Sequence, residues 1–215
     1  SNFSDLKNAP TVLVSKDGQF SFWKWMVNAH GFKDEQVKPY AYNLAQFLQD
    51  EKMVQQAYGT AEPIYAAAAG AKPKTFLLAD HGWTTYSTTI EARTEMVQNN
   101  PDLIQRFMNA SIEGWYNFLY GDRSAAYGLI MKDNPEMTKE KLDKEMAQFE
   151  KLGIIDVGEA LTKGIGAMDM DRVKSFHKLA IDSGIIEAGS VDINKVATDQ
   201  FVNKGHGLDI KAKLK

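Results

Sequence analysis

Hydrophobic positions change their rhythm near the middle of the chain, and the change separates two kinds of structure. Before residue 84 the apolar residues fall in short runs: Thr11-Val-Leu-Val14, Val37 to Tyr42, Val54 to Tyr58 and Thr75-Phe-Leu-Leu-Ala79. Runs of this length between Gly, Pro, Asn and Asp signals predict strands, the one with Pro39 nearest a sheet edge. Between them the spacing is helical. From Gln19 a helix carries Phe22, Trp23, Met26 and Val27 on one broad face and stops at Gly31. Asn43 caps a second helix with Leu44, Phe47 and Leu48 on one side. A third starts at a Thr60 cap, holds Glu62 and Pro63 in its first turn, and runs through Ala66–Ala69 to Gly70. The order β-α-β-α-β-α-β predicts an α/β lobe with a small, mostly parallel sheet over residues 11–83, entered through a segment at 1–10. Its ligands are expected at the carboxyl ends of the strands.

Residues 84–95 are extended and Thr-rich, a crossover to a second region at 96–215 whose periodicity is helical. Asn100-Pro101-Asp102 starts its longest helix, with a cap, a proline at the first helical position and an acid in the first turn. Apolar residues from Leu103 to Leu119 follow at helical spacing until Gly121. Further helices are expected at 123–132, 138–151, 169–183 and 192–202, ahead of a polar, lysine-rich tail at 205–215. Leu103, Phe107, Ile112 and Trp115 form a stripe with no strand of this region to cover. Each large apolar side chain is worth roughly 1.5–3 kcal/mol when buried. The stripe is therefore expected to be covered by a second copy of the chain, by an N-terminal piece outside these residues, or by a bundle with helix 169–183.

Composition adds mainly exclusions. The chain has 215 residues, 44% of them hydrophobic, a formal net charge of -3 and a sequence pI near 5.8. There is no basic footprint for nucleic acid or a membrane surface. No run approaches the ~20 apolar residues of a membrane span. Cysteine is absent, so disulfides and thiol chemistry are excluded. The four histidines lie in unrelated contexts, and no metal set or cofactor motif is visible.

Candidate chemistry gathers at the expected strand ends. Glu62, beside Tyr58 and Thr60, can accept hydrogen bonds from a ligand amine or amide, or serve only as a partner of its own helix N-terminus. The loop with Lys16, Gly18, Gln19 and Phe20 can hold an anionic group or be a solvated turn. Asn43 follows the second strand and joins the set. His81, Trp83 and Tyr86 lie at the crossover, where Trp83 can stack on a heteroaromatic ligand or pack in the core.

Several pieces in order carry a resemblance. They are Phe3-Ser-Asp-Leu-Lys-Asn, Gln56-Ala-Tyr-Gly-Thr-Ala-Glu-Pro63, Leu77-Leu-Ala-Asp80, Asn100-Pro-Asp-Leu103, Gly114-Trp115, Gly166-Ala-Met-Asp169, Phe176-His177, Ser183-Gly184 and Gln200-Phe-Val-Asn203. Together they resemble the later part of a type II solute-binding protein of ABC importers, in the branch for thiamine pyrimidine precursors, riboflavin-like compounds, alkanesulfonates and nitrate-type anions. The resemblance implies that residues 11–83 are lobe 2, 84–95 a hinge crossover and 96–215 the C-terminal helical part of lobe 1. The first βαβα part of lobe 1, about 100 residues in domains of this size, has no counterpart, so a fragment or a chain completed by another is expected. The resemblance further implies a non-enzymatic receptor, periplasmic or lipid-anchored outside the cell. It would bind a heteroaromatic or anionic solute between its lobes and deliver it to a membrane permease. The competing readings are a pyrimidine-precursor synthase of the same fold, whose cysteine-rich motif is missing here, and a helical interaction module.

Overall fold

Strands β1 (Val12–Val14), β2 (Val37–Pro39) and β3 (Val54–Gln55) run parallel in the order β2-β1-β3 in the computed structural model, which describes residues 2–215. Central β1 is buried throughout, with Val12 opposite Val37 on one side and Val54 on the other. Helices α1 (Lys16–Gln19), α2 (Phe22–His30) and α3 (Glu62–Ala68) accompany this sheet. Then follow α4 (Thr94–Asn99), α5 (Pro101–Tyr120), α6 (Ser124–Asp133), α7 (Lys139–Leu152), α8 (Ala160–Lys163), α9 (Met170–Asp182), α10 (Ile193–Val196) and α11 (Leu208–Leu214). The expected α/β class with a small parallel sheet is borne out.

The chain divides into two compact units, Ser1–Thr85 with Asp171–Val196, and Tyr86–Met170 with Ala197–Lys215. In the first, Phe3, Val12, Val14, Trp23, Trp25, Met26 and Phe32 form the core. Helix α9 belongs here, and not with the later helices as its place in the sequence predicts. Lys24 Nζ donates to the Gly184 carbonyl at 3.0 Å, Asn28 Nδ2 to that of Ser183 at 2.9 Å, and Phe176 meets the Trp83 ring edge-on at 4.9 Å. Periodicity identifies an amphipathic helix but not the surface it covers, so its assignment needed these contacts.

The second unit is helical. Ile112, Tyr116, Leu119, Tyr127, Leu142, Met146 and Ile165 make its core. The Tyr116 hydroxyl accepts from the Ile165 N–H at 3.1 Å. Gly207, with φ +79°, lies against the Tyr116 ring: an added Cβ would stand 2.5 Å from Cδ2, so only glycine allows α11 to settle there. Lys211 of α11 then pairs with Asp156 at 2.6 Å. Among the described residues no helix is long and apolar enough to cross a membrane.

Five expectations are corrected. Residues 75–77 form no strand and lead into a 3-10 turn at Leu78–His81. Phe76 and Leu78, partly exposed, pack against the core with their side chains instead of pairing through the backbone, so the run is used as core cover and not as a fourth strand. Asn43 starts no helix: its Oδ1 accepts from Ala45 N at 3.0 Å and closes a turn, leaving only a 3-10 turn at Phe47–Gln49. Thr60 is not the cap of α3; Ala61 occupies that position without a side-chain bond. The helix expected at 192–202 is the single turn α10. The tail at 205–215 contains α11, whose Leu208 and Ile210 pack on the second core. That packing divides the α5 stripe: Ile112 is buried beside Leu208 and Ile210 rather than under α9, while Leu103, Phe107 and Trp115 stay exposed.

Candidate functional site

Because the three strands are parallel neighbours, the segments that follow them meet at one edge of the sheet. These segments are residues 15–20, 40–45 and 56–62. Hydrogen bonds tie them together. Ser15 is buried, caps Gly18 N with its Oγ at 3.0 Å, and donates its own N–H to Gln56 Oε1 at 2.8 Å. Tyr40 donates its N–H to the Val14 carbonyl at 3.0 Å, and Gln56 does the same to Leu13 at 2.8 Å. Gly18 fills the tightest point. A Cβ there would meet Phe22, Val14 and Gln56 at 2.7, 2.8 and 2.9 Å, so packing alone requires glycine.

Glu62, in the first turn of α3, is the central polar group. Its Oε1 accepts from the Tyr40 hydroxyl at 2.9 Å and its Oε2 from the Tyr58 N–H at 2.8 Å. Burial of Tyr40, its bond to Glu62 and the nearby negative charge hold its phenol well above the ordinary tyrosine range, so it stays a donor. Each carboxylate oxygen keeps a lone pair for a further donor. Each strand end also contributes one exposed aromatic residue: Phe20 after β1, Tyr42 after β2 and Tyr58 after β3, all more than 60% exposed. Lys16 is exposed, and Gln19 turns inward to the Val14 carbonyl at 3.1 Å. Asn43 holds its turn through Ala41 and Ala45. Thr60 is half-buried.

The remaining candidates are engaged by other partners. His81 lies flat on Phe3, ring centroids 3.9 Å apart at 9°. Trp83 is half-buried and packed 5.5 Å from Trp25 and 4.9 Å from Phe176. Tyr86 belongs to the second unit, where its hydroxyl accepts from the Asp169 N–H at 2.8 Å. An open groove of about 310 Å³ is found between α2 and α9, lined by Trp25, Asn28 and Leu179 among others, and contains none of the strand-end residues. Among the described residues no cluster of three or more His, Asp or Glu could hold a metal ion.

Ser15, Tyr40, Tyr42 and Gln56 are not among the site residues that the sequence singles out. The two tyrosines fall inside the expected strand Val37 to Tyr42, whereas the observed strand ends at Pro39. The one available signal was Asn43, a turn former, directly after an aromatic residue.

Residues 1–126 match the family profile described as NMT1/THI5 like. No curated protein and no solved structure matches the chain. With 126 of its 215 residues inside the match, the chain belongs to the NMT1/THI5-like family, a periplasmic substrate-binding family.

Proposed function

We propose that the protein is the solute-binding component of an ABC importer and takes a small heteroaromatic or anionic solute at the carboxyl edge of the sheet. The observation that carries this reading is the strand-end constellation itself. Three exposed aromatic rings, one after each parallel strand, share the carboxyl ends of the sheet with a carboxylate whose two oxygens are already fixed by Tyr40 and Tyr58. A fixed acceptor loses little freedom when a ligand N–H arrives, and flat aromatic faces suit a planar ring. The carboxylate favours an amino-bearing heteroaromatic solute of the thiamine-precursor type. Lys16 is the cation on the same edge for an anionic one.

In this reading the sheet unit is lobe 2 of the receptor and the second unit is the helical part of lobe 1. The bound receptor delivers its solute to a membrane permease, in the periplasm or from a lipid anchor outside the cell. The protein supplies affinity and closure, not bond-making. Isothermal titration with aminopyrimidine thiamine precursors, flavins and alkanesulfonates tests this. Saturable heat with one of these classes is expected, and inertness to all of them removes the reading.

A further inference from the structure

Tyr42 holds its backbone where its side chain is least welcome. Its φ is +55°, and the other positive-φ residue besides glycine among those described is Asn203, a type that enters this region readily. A bulky L-residue is sterically penalised in the left-handed region, so the surrounding chain must impose the conformation. Here the turn does so. Asn43 Nδ2 donates to the Ala41 carbonyl at 3.2 Å and its Oδ1 accepts from Ala45 N at 3.0 Å, which fixes the backbone on both sides of Tyr42.

Burial does not compensate this penalty, because the Tyr42 side chain is 67% exposed. What the conformation secures is placement. The Tyr42 ring lies 5.0 Å from the Tyr40 ring at a tilt of 43°. Tyr40 is in turn buried and fixed to Glu62 by its hydroxyl. A mobile surface tyrosine would have no such chain of support. Strained residues held by their surroundings gather at binding sites, because a relaxed residue would not aim its side chain the same way.

We propose that Tyr42 is a specificity-determining aromatic clamp, stacking on the planar ring of an amino-bearing heteroaromatic solute while Glu62 accepts from its N–H groups. The assignment rests on the solute-binding reading above. Its signature is a residue whose removal weakens binding without weakening the fold.

The test compares wild type with Tyr42→Gly and Tyr42→Phe, using urea unfolding and calorimetric titration with 4-aminopyrimidine thiamine precursor and with an alkanesulfonate. Glycine accepts the positive φ without penalty, so Tyr42→Gly is expected to be at least as stable as wild type, with its Kd for the aminopyrimidine raised tenfold or more. Tyr42→Phe keeps both the stability and the Kd within about threefold, since stacking needs the ring and not the hydroxyl. A less stable Tyr42→Gly assigns the ring to packing and overturns the proposal, as does an unchanged Kd. If wild type binds the sulfonate but not the aminopyrimidine, solute binding stands and the clamp fails. If it binds neither probe nor a flavin, the solute-binding reading fails and the clamp with it.

Discussion

The Tyr40 hydroxyl donates to Glu62 Oε1 at 2.9 Å, joining the segment after β2 to the first turn of α3. Since β2 and β3 flank β1, this bond passes over the carboxyl end of the central strand. The second oxygen of Glu62 receives the Tyr58 N–H. One carboxylate thus organises the edge at which ligand binding is proposed. Truncating it leaves the buried Tyr40 hydroxyl without a partner, and such a group costs about 1–3 kcal/mol. Glu62→Ala should therefore lose about 1–3 kcal/mol in urea unfolding. Tyr40→Phe removes the donor and leaves only a partly solvated acceptor, so about 1 kcal/mol is expected. Equal losses in the two variants would assign the effect to packing rather than to the hydrogen bond.

A second relationship fixes the C-terminal helix. Lys211 Nζ stands 2.6 Å from Asp156, both groups being largely withdrawn from solvent, and Tyr120 donates its hydroxyl to the same carboxylate oxygen. Removing one member of a buried pair strands the other, which costs about 3–5 kcal/mol. Lys211→Ala should show a loss of that order by denaturant unfolding. The exposed pairs Lys139–Asp143 and Lys178–Asp182 have the same 2.6 Å separation but stand in water. Their alanine variants should each cost no more than about 1 kcal/mol, and less in salt. Similar losses at all three sites would remove burial as the deciding factor.

The first unit should weaken in mild acid. His30 packs edge-on to Trp25 and Phe3, and its burial, followed by the charge of His81, holds its imidazole below the ordinary 6.5. The folded chain therefore binds its proton later than the unfolded chain as pH falls. Stability from this source is complete above pH 6.5 and is lost as the pH drops from there through the lower folded value. The midpoint of thermal unfolding, measured between about pH 7.5 and about pH 5.5, should fall with acidification and fall less in His30→Gln. An identical slope in the variant would assign the pH dependence to other groups.

How much of this was legible depended on the length of each signal. The long helix was readable almost to the residue, because Asn100-Pro101 and Gly121 bracket many apolar positions at one period. Residues 75–79 offered only a short apolar run, which packs on a core from the side as readily as it enters a sheet. The tail reads as polar because Lys211, Lys213, Lys215 and Asp209 interrupt its few apolar residues, yet Leu208, Ile210 and the bare Gly207 suffice to dock a two-turn helix on Tyr116. At the candidate site, strand ends announce themselves through turn residues, so Glu62 and the 16–20 loop were found. Tyr40 carries no such mark, and Tyr42 only the turn former Asn43 beside it. Their roles arise from a hydrogen bond to a residue twenty-two positions away and from a backbone angle, neither of which periodicity encodes.

The two sides of α5 should respond differently to truncation. Ile112 is 5% exposed and packs with Tyr116, Leu119 and the residues of α11, so removing its side chain leaves a cavity that the rigid Tyr116 ring cannot fill. Ile112→Ala is expected to cost about 2–5 kcal/mol. Leu103 and Phe107, on the same helix, are 46% and 58% exposed. If the chain is monomeric, Phe107→Ala removes little buried area and should cost no more than about 0.5 kcal/mol, because the better helix propensity of alanine offsets the small loss of contact. If instead a second chain covers this face, Phe107 is buried in the assembly, and its truncation should lower the association state. Unfolding of Ile112→Ala and Phe107→Ala at two protein concentrations, with light scattering, separates these outcomes. A concentration-independent loss confined to Ile112→Ala means that α11 is the cover that stabilises α5. A Phe107→Ala loss that grows on dilution means that the exposed side of α5 is covered too.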